Sequence, residues 1–200
     1  MTGLKKNSLG QCLAISSRFD KFRKANVHYL LLRWTAQMSA IELHSVWERF
    51  AESRLIAALN HHPDAFIATN SIRGIKTIPV GLAEAVIVGP DKYFDFRNTS
   101  DLIKRAKQIL SDQDNPFLLL KGTIALHLDT LSAIRNYIVH RSDYSWDRYR
   151  ATLSSLYGIT KAPKPDELLN ALDDRKGSIA PRKPRLIGLI TAVERAIQVA

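Results

Sequence analysis

Arg135, Asn136 and His140 lie near the end of one apolar-striped segment and carry the side chains needed to hold a phosphate and move a proton. They belong to the stretch Ser132-Ala-Ile-Arg-Asn-Tyr-Ile-Val-His-Arg-Ser142. A histidine titrates near neutrality, so it can take a proton from a hydroxyl or give one to a leaving oxygen. An arginine stays charged and offers a fork of donors to a phosphate, where negative charge grows in a transition state. Asn136 can hold His140 in place or bond the phosphate directly. The same residues also fit a solvated helix end, because His and Arg favour the last turn and cap its carbonyls.

The element that must position them reads as a long helix over Gly122 to His140. Ile124, Leu128, Leu131, Ile134 and Ile138 recur at steps of four, three, three and four, which makes one buried stripe. On that helix Asn136 and His140 share a face one turn apart. Arg135 and His140 are about 140° apart, so one straight helix does not make a tight Arg–His pair.

The Arg135–His140 spacing, with Asn136 directly after the arginine, resembles the R-x(4–6)-H motif of the HEPN family. The surrounding order is similar as well: a long early helix, a variable middle, the motif helix, then an aromatic-rich helix beginning near Tyr144-Ser-Trp146. The resemblance runs from about Asn26 to Gly158, and the layout is most similar to the RiboL-PSP-HEPN group. It implies an all-α bundle of four to five core helices and a metal-independent endoribonuclease, with Arg135, Asn136 and His140 as catalytic residues. Attack by a ribose 2′-hydroxyl would leave a 2′,3′-cyclic phosphate, with RNA as the partner and no cofactor. It also implies a homodimer with a composite site at the two-fold axis, and the 140° separation gives a physical reason for one. A toxin or phage-defence role, with an inhibitor or activator protein, follows from the resemblance alone. Some HEPN toxins carry a modified Tyr two positions after the motif His. Here that position is Ser142 and Tyr144 is out of place, which argues against that subset. A non-catalytic HEPN-like module that binds a protein, a nucleotide or nucleic acid remains the alternative. A DNA-binding regulator is weaker, since no helix-turn-helix with a basic recognition helix is evident.

Basic residues supply the candidate RNA contacts: Arg141 and Arg148 after the motif, and Lys104 and Arg105 on an earlier helix. Arg175, Lys176, Arg182 and Lys183 form a second basic stretch suited to RNA or to a docked partner. Each could equally serve solubility. His61, His62 and Asp64 do not make a metal site, because adjacent histidines rarely converge on one ion. His28, His44 and His127 read as structural. Glu42, Glu48 and Glu52 read as a solvated face, with Glu48 and Glu52 beside Arg49 and Arg54, although a carboxylate there could orient His140. Trp34, Trp47 and Trp146 read as core or dimer-interface anchors.

Elsewhere the pattern is mostly helical. Asn26 to Leu59 holds one or two long helices, with a possible break at Ser39 or His44, and ends at His61-His62-Pro63. Residues 72–96 form an insertion punctuated by Gly74, Pro79, Gly81, Gly89 and Pro90, either loop-rich with a short β-hairpin or holding a helical turn at Leu82 to Val86. Thr99 or Ser100 caps a helix to Leu110. Asn115-Pro116 starts a further segment, and Asp143 caps a helix that stops at Gly158. Residues 1–160 read as the domain. Residues 161–200 read as a basic linker and helical appendage on the bundle or on a partner, with a short helix over Asp166 to Leu172. Its last helix, Arg185 to Val199, carries an apolar face of Leu186, Leu189, Ile190, Val193 and Ile197.

Composition is consistent with this. The 200 residues suffice for one core, and the net charge of +10 favours a polyanionic partner. One cysteine, Cys12, excludes an internal disulfide framework. The start of the chain, Met1 to Ser8, is polar and basic, and no run is long enough to span a membrane. The expectation is therefore a cytoplasmic protein. Phosphate loops, glycine-rich dinucleotide turns and Ser/His/Asp triads are absent as motifs.

Overall fold

The computed structural model describes residues 2–25, 27–89 and 94–200. The fold is all-α. Its elements are α1 (Thr2–Lys24), α2 (Tyr29–His61), α3 (Asp64–Thr69), α4 (Val80–Val88), α5 (Thr99–Ile109), α6 (Gly122–His140), α7 (Asp143–Tyr157), α8 (Pro165–Asn170) and α9 (Arg185–Val199). Among the described residues the only β feature is a single bridge between Leu172 and Pro184. No described helix is long and apolar enough to cross a membrane.

The bundle is built on α2, which packs against α1, α6, α8 and α9, while α7 folds back on α6. α2 runs unbroken through Ser39 and His44, because both face the interior. Its core contacts include Trp47, stacked near Phe50 at 5.9 Å and edge-on to Phe117 at 6.4 Å. α1 is a helix that the apolar pattern does not announce. Its buried positions are Ser8, Cys12, Ile15 and Phe19, at helical steps of four, three and four. Two of the four are small or polar side chains, so the stripe is weak in hydropathy and strong only in spacing.

Several boundaries differ from the expectations above, among them α8, which starts at Pro165 and ends at Asn170, short of Leu172. The helix after the insertion is capped by Asn98, whose side chain accepts from Asp101 N, and Thr99 is the first helical residue. The α7 cap is Ser142, paired with Ser145 in a capping box, and Asp143 is the first helical residue. Asn115-Pro116 opens no helix. The Asn115 side chain instead accepts from Phe117 N at 3.0 Å and holds a turn.

Residues 72–96 hold α4 and no β-hairpin among the described residues; Pro90 lies outside them, as does Asn26. Pro79 precedes the first turn of α4, where a missing N–H costs nothing. Gly89, at φ +71°, ends the helix. α4 lies on α2 with Ala83 buried and with Val86, Ile87 and Val88 partly buried against the core, while Val80 and, before the helix, Ile75 stay exposed.

The C-terminal helix is part of the core. Leu186, Leu189, Ile190, Val193 and Ile197 are buried, and α9 packs on α1, α2, α6 and α8. Arg175, read above as a surface cation, is a staple. It donates from Nε (2.7 Å) and Nη2 (2.6 Å) to the Asp173 carboxylate, and its guanidinium lies 4.3 Å from the centre of the Tyr157 ring. Burial opposes the charge on Asp173, but the Arg175 and Ser178 hydrogen bonds overcome it and hold the carboxyl down at about 2.

Trp47 is buried and Trp146 is half-buried against Tyr137 and Tyr149. Trp34 is 60% exposed, so it is not a core residue. With Leu30 and Met38 it forms an apolar stripe on the outer face of α2, at steps of four.

Candidate functional site

The α6–α7 corner creates the site. α6 ends at His140, and Arg141 takes the left-handed conformation (φ +48°) that ends the helix. Ser142 then starts α7 at once. Tyr137 stacks on Tyr149 at 5.3 Å, nearly parallel, and locks the two helices together. The last turn of α6 and the first turns of α7 therefore line a shared concavity.

That concavity is a cavity of about 540 Å³. From α6 it is lined by Arg135, Asn136 and His140. From α7 and its cap come Ser142, Tyr144 and Arg148. The segment before α5 adds Asp95, Arg97 and the buried Phe96 to the lining. Arg135 and His140 reach this cavity within one chain despite their angular separation, because α7 and the 94–98 segment wrap the helix end. A second copy is not needed to bring them together.

Asn136 does not hold His140. Its Oδ1 accepts from Arg135 Nη1 at 2.8 Å, so it fixes the guanidinium. Among the described residues Arg97, Arg135 and Arg148 have no carboxylate within ion-pair distance, as is the case for most of the chain's arginines; Arg18, Arg33, Arg105, Arg150 and Arg175 are the paired ones. Like charges gathered in one concavity repel unless an anion joins them. The lining is therefore net cationic, with three arginines and one carboxylate, Asp95.

No family model, no curated protein and no solved structure matches this chain.

The other expected contacts fall outside the cavity. Arg141 is exposed at the turn and does not line it. Lys104 and Arg105 line a separate depression between α4 and α5, and Arg105 lies 3.5 Å from Asp101. His62 Nδ1 lies 3.2 Å from Asp114 Oδ1, and no three potential metal-ligand side chains converge among the described residues.

Two supports underlie the site. The first is a cross-helix tether. His44 Nε2 of α2 bonds Ser132 Oγ of α6 at 2.9 Å, one turn before Asn136. Glu48 Oε2 lies 3.1 Å from His44 Nδ1, at ion-pair distance but off the line of a hydrogen bond. Glu48 thus faces His44, not Arg49, Arg54 or His140. Serine, histidine and carboxylate stand here in the order of a nucleophilic triad, yet Ser132 is buried and does not line the cavity. The arrangement is a tether.

The second support is Asp129, also on α6. It accepts from Thr99 N at 2.7 Å and Thr99 Oγ1 at 2.8 Å, tying the start of α5 to α6. Asp101 in turn accepts from Arg97 N at 3.1 Å. Arg97 therefore stands on a backbone anchored to the motif helix. Sequence reasoning missed Arg97 and Asp95 as site residues because they follow a variable insertion with no motif of their own. The only signal was the Asn98 to Asp101 spacing, which marks a helix start.

Proposed function

We propose that this chain is a metal-independent endoribonuclease of the HEPN type. The observation that carries the reading is that Arg135, Asn136, His140 and Arg148 line one cavity rich in unpaired guanidinium groups. Arg135, held by Asn136, binds a non-bridging phosphate oxygen and stabilises charge as it grows. The ribose 2′-oxygen attacks phosphorus and loses its proton. The bond to the 5′-oxygen breaks, and that oxygen gains a proton. The products are a 2′,3′-cyclic phosphate and a 5′-hydroxyl. The guanidinium supplies the charge and the imidazole the proton transfer, so the reaction needs no metal.

Two proton transfers occur, and one chain places one imidazole in this cavity among the described residues. A second copy's His140 would supply the other, which supports a homodimer. The exposed stripe of Leu30, Trp34 and Met38 gives such an association an apolar surface to bury.

The test is incubation of folded wild type and His140→Ala with a mixed RNA pool in EDTA. Cleavage by the wild type alone supports the reading. Equal cleavage by both, or none by either, overturns it. Sedimentation of the wild type and Trp34→Glu tests the dimer, which predicts a two-chain mass for the first and one chain for the second.

A further inference from the structure

We propose that Tyr144 and Arg97 form a subsite for an unpaired nucleotide beside the Arg135–His140 centre. This rests on the reading of the cavity as an RNA site and narrows it.

The first observation is the placement of Tyr144. It lines the cavity yet is 71% exposed. The other tyrosines of this corner are packed: Tyr137 and Tyr149 stack on each other, and Trp146 sits against both. Tyr144 makes no such aromatic contact among the described residues, so its ring face is open at the cavity edge. An exposed aromatic face beside a cationic groove is the recurring platform for nucleobases, because every base has a π-face to stack.

The second observation is independent of the first. Arg97 lines the same cavity from the segment before α5, on a backbone anchored through Asp101, Asn98 and the Thr99–Asp129 bonds. With Arg135 and Arg148 it brings three guanidinium groups against one carboxylate, Asp95. A single reacting phosphate needs one such fork. The surplus matches a strand that carries further phosphates past the centre.

Together these features discriminate between RNA forms. In an A-form duplex the bases are stacked within the helix and their faces are not free, whereas a single strand can splay a base onto a side chain. Tyr144 can engage only the latter. Stacking on the ring does not need the phenolic hydroxyl, so phenylalanine should substitute for it.

The experiment is fluorescence anisotropy with a 2′-O-methyl RNA, which lacks the attacking hydroxyl and is not cleaved. It is offered as a single strand and as a fully paired hairpin. The single strand should bind wild type at least about tenfold tighter than the hairpin. Tyr144→Ala should weaken single-strand binding about fivefold or more, while Tyr144→Phe keeps it. Arg97→Ala should lower the slope of log affinity against log salt by about 0.7. Equal affinity for both RNA forms, or unchanged binding by Tyr144→Ala, overturns the proposal. Because binding is read without cleavage, the two readings separate. Tyr144-dependent binding by a protein that never cleaves RNA sustains the subsite and removes the ribonuclease reading. Cleavage with no Tyr144 dependence of binding does the reverse.

Discussion

Asn136 Oδ1 accepts a 2.8 Å hydrogen bond from Nη1 of the adjacent Arg135, so the two polar residues of the motif act as a unit and His140 stands apart from them. An arginine loses little freedom on binding when its fork is already held. Asn136→Ala should therefore lower kcat/KM for RNA cleavage by about 10- to 100-fold through a misplaced guanidinium, with little change in thermal stability. Steady-state kinetics beside a melting curve check this. A stability loss large enough to explain the rate would assign Asn136 to the fold instead.

The tether between α2 and α6 should be visible in stability. Ser132→Ala leaves His44 Nε2 buried without its partner, which costs about 1–3 kcal/mol. Urea unfolding measures it. A loss under about 0.5 kcal/mol, typical of an exposed position, would show that the contact carries no weight.

His127 gives the fold a pH dependence. It is buried on α6, its Nδ1 bonds Thr123 O at 2.7 Å, and its Nε2 has no partner among the described residues. Burial first, with the Arg175 and Arg195 charges adding to it, pushes its pKa below the ordinary 6.5, against the opposing pull of the Thr123 bond and Asp173. The unfolded chain thus binds this proton more readily than the folded one. Stability should be full above pH 6.5 and fall as pH drops below it. Asp173, held at about 2 against 3.8, loses its contribution only below pH 4, so the two windows separate. Unfolding free energy measured from pH 7.5 to 5 should slope downward in the wild type and flatten in His127→Gln.

Arg141 adopts a left-handed backbone that favours glycine, and its side chain does not line the cavity. Arg141→Gly should therefore raise stability by up to about 1 kcal/mol and leave RNA cleavage within twofold of wild type. A large loss of RNA affinity would restore Arg141 as a contact.

Legibility in the sequence followed the strength of each local signal. α6 and α9 were readable to the residue because strong apolar stripes end at clear stops. α1 was not, since its stripe runs through Ser8 and Cys12 and hydropathy alone undervalues it. α4 was ambiguous because β-branched residues suit either a strand or a buried helix face, and contact with α2 decides between them. In the site, Arg135, Asn136, His140 and Arg148 could be named because one helix and its successor carry them. Arg97 could not be, because its segment reaches α6 through long-range contacts such as the Thr99–Asp129 bonds. Lys104 and Arg105 showed the converse, a basic cluster that faces elsewhere. The exposure of Trp34 was likewise invisible, since a tryptophan on an amphipathic helix reads the same whether the core or a partner covers it.

The most direct measurement is the end chemistry of RNA cut by purified protein in EDTA. The account predicts 2′,3′-cyclic phosphate and 5′-hydroxyl ends from the wild type, and no cutting by His140→Ala or at a position carrying a single 2′-deoxyribose. Ends bearing a 5′-phosphate, or cutting that survives either change, would contradict a His140-dependent attack by the 2′-hydroxyl.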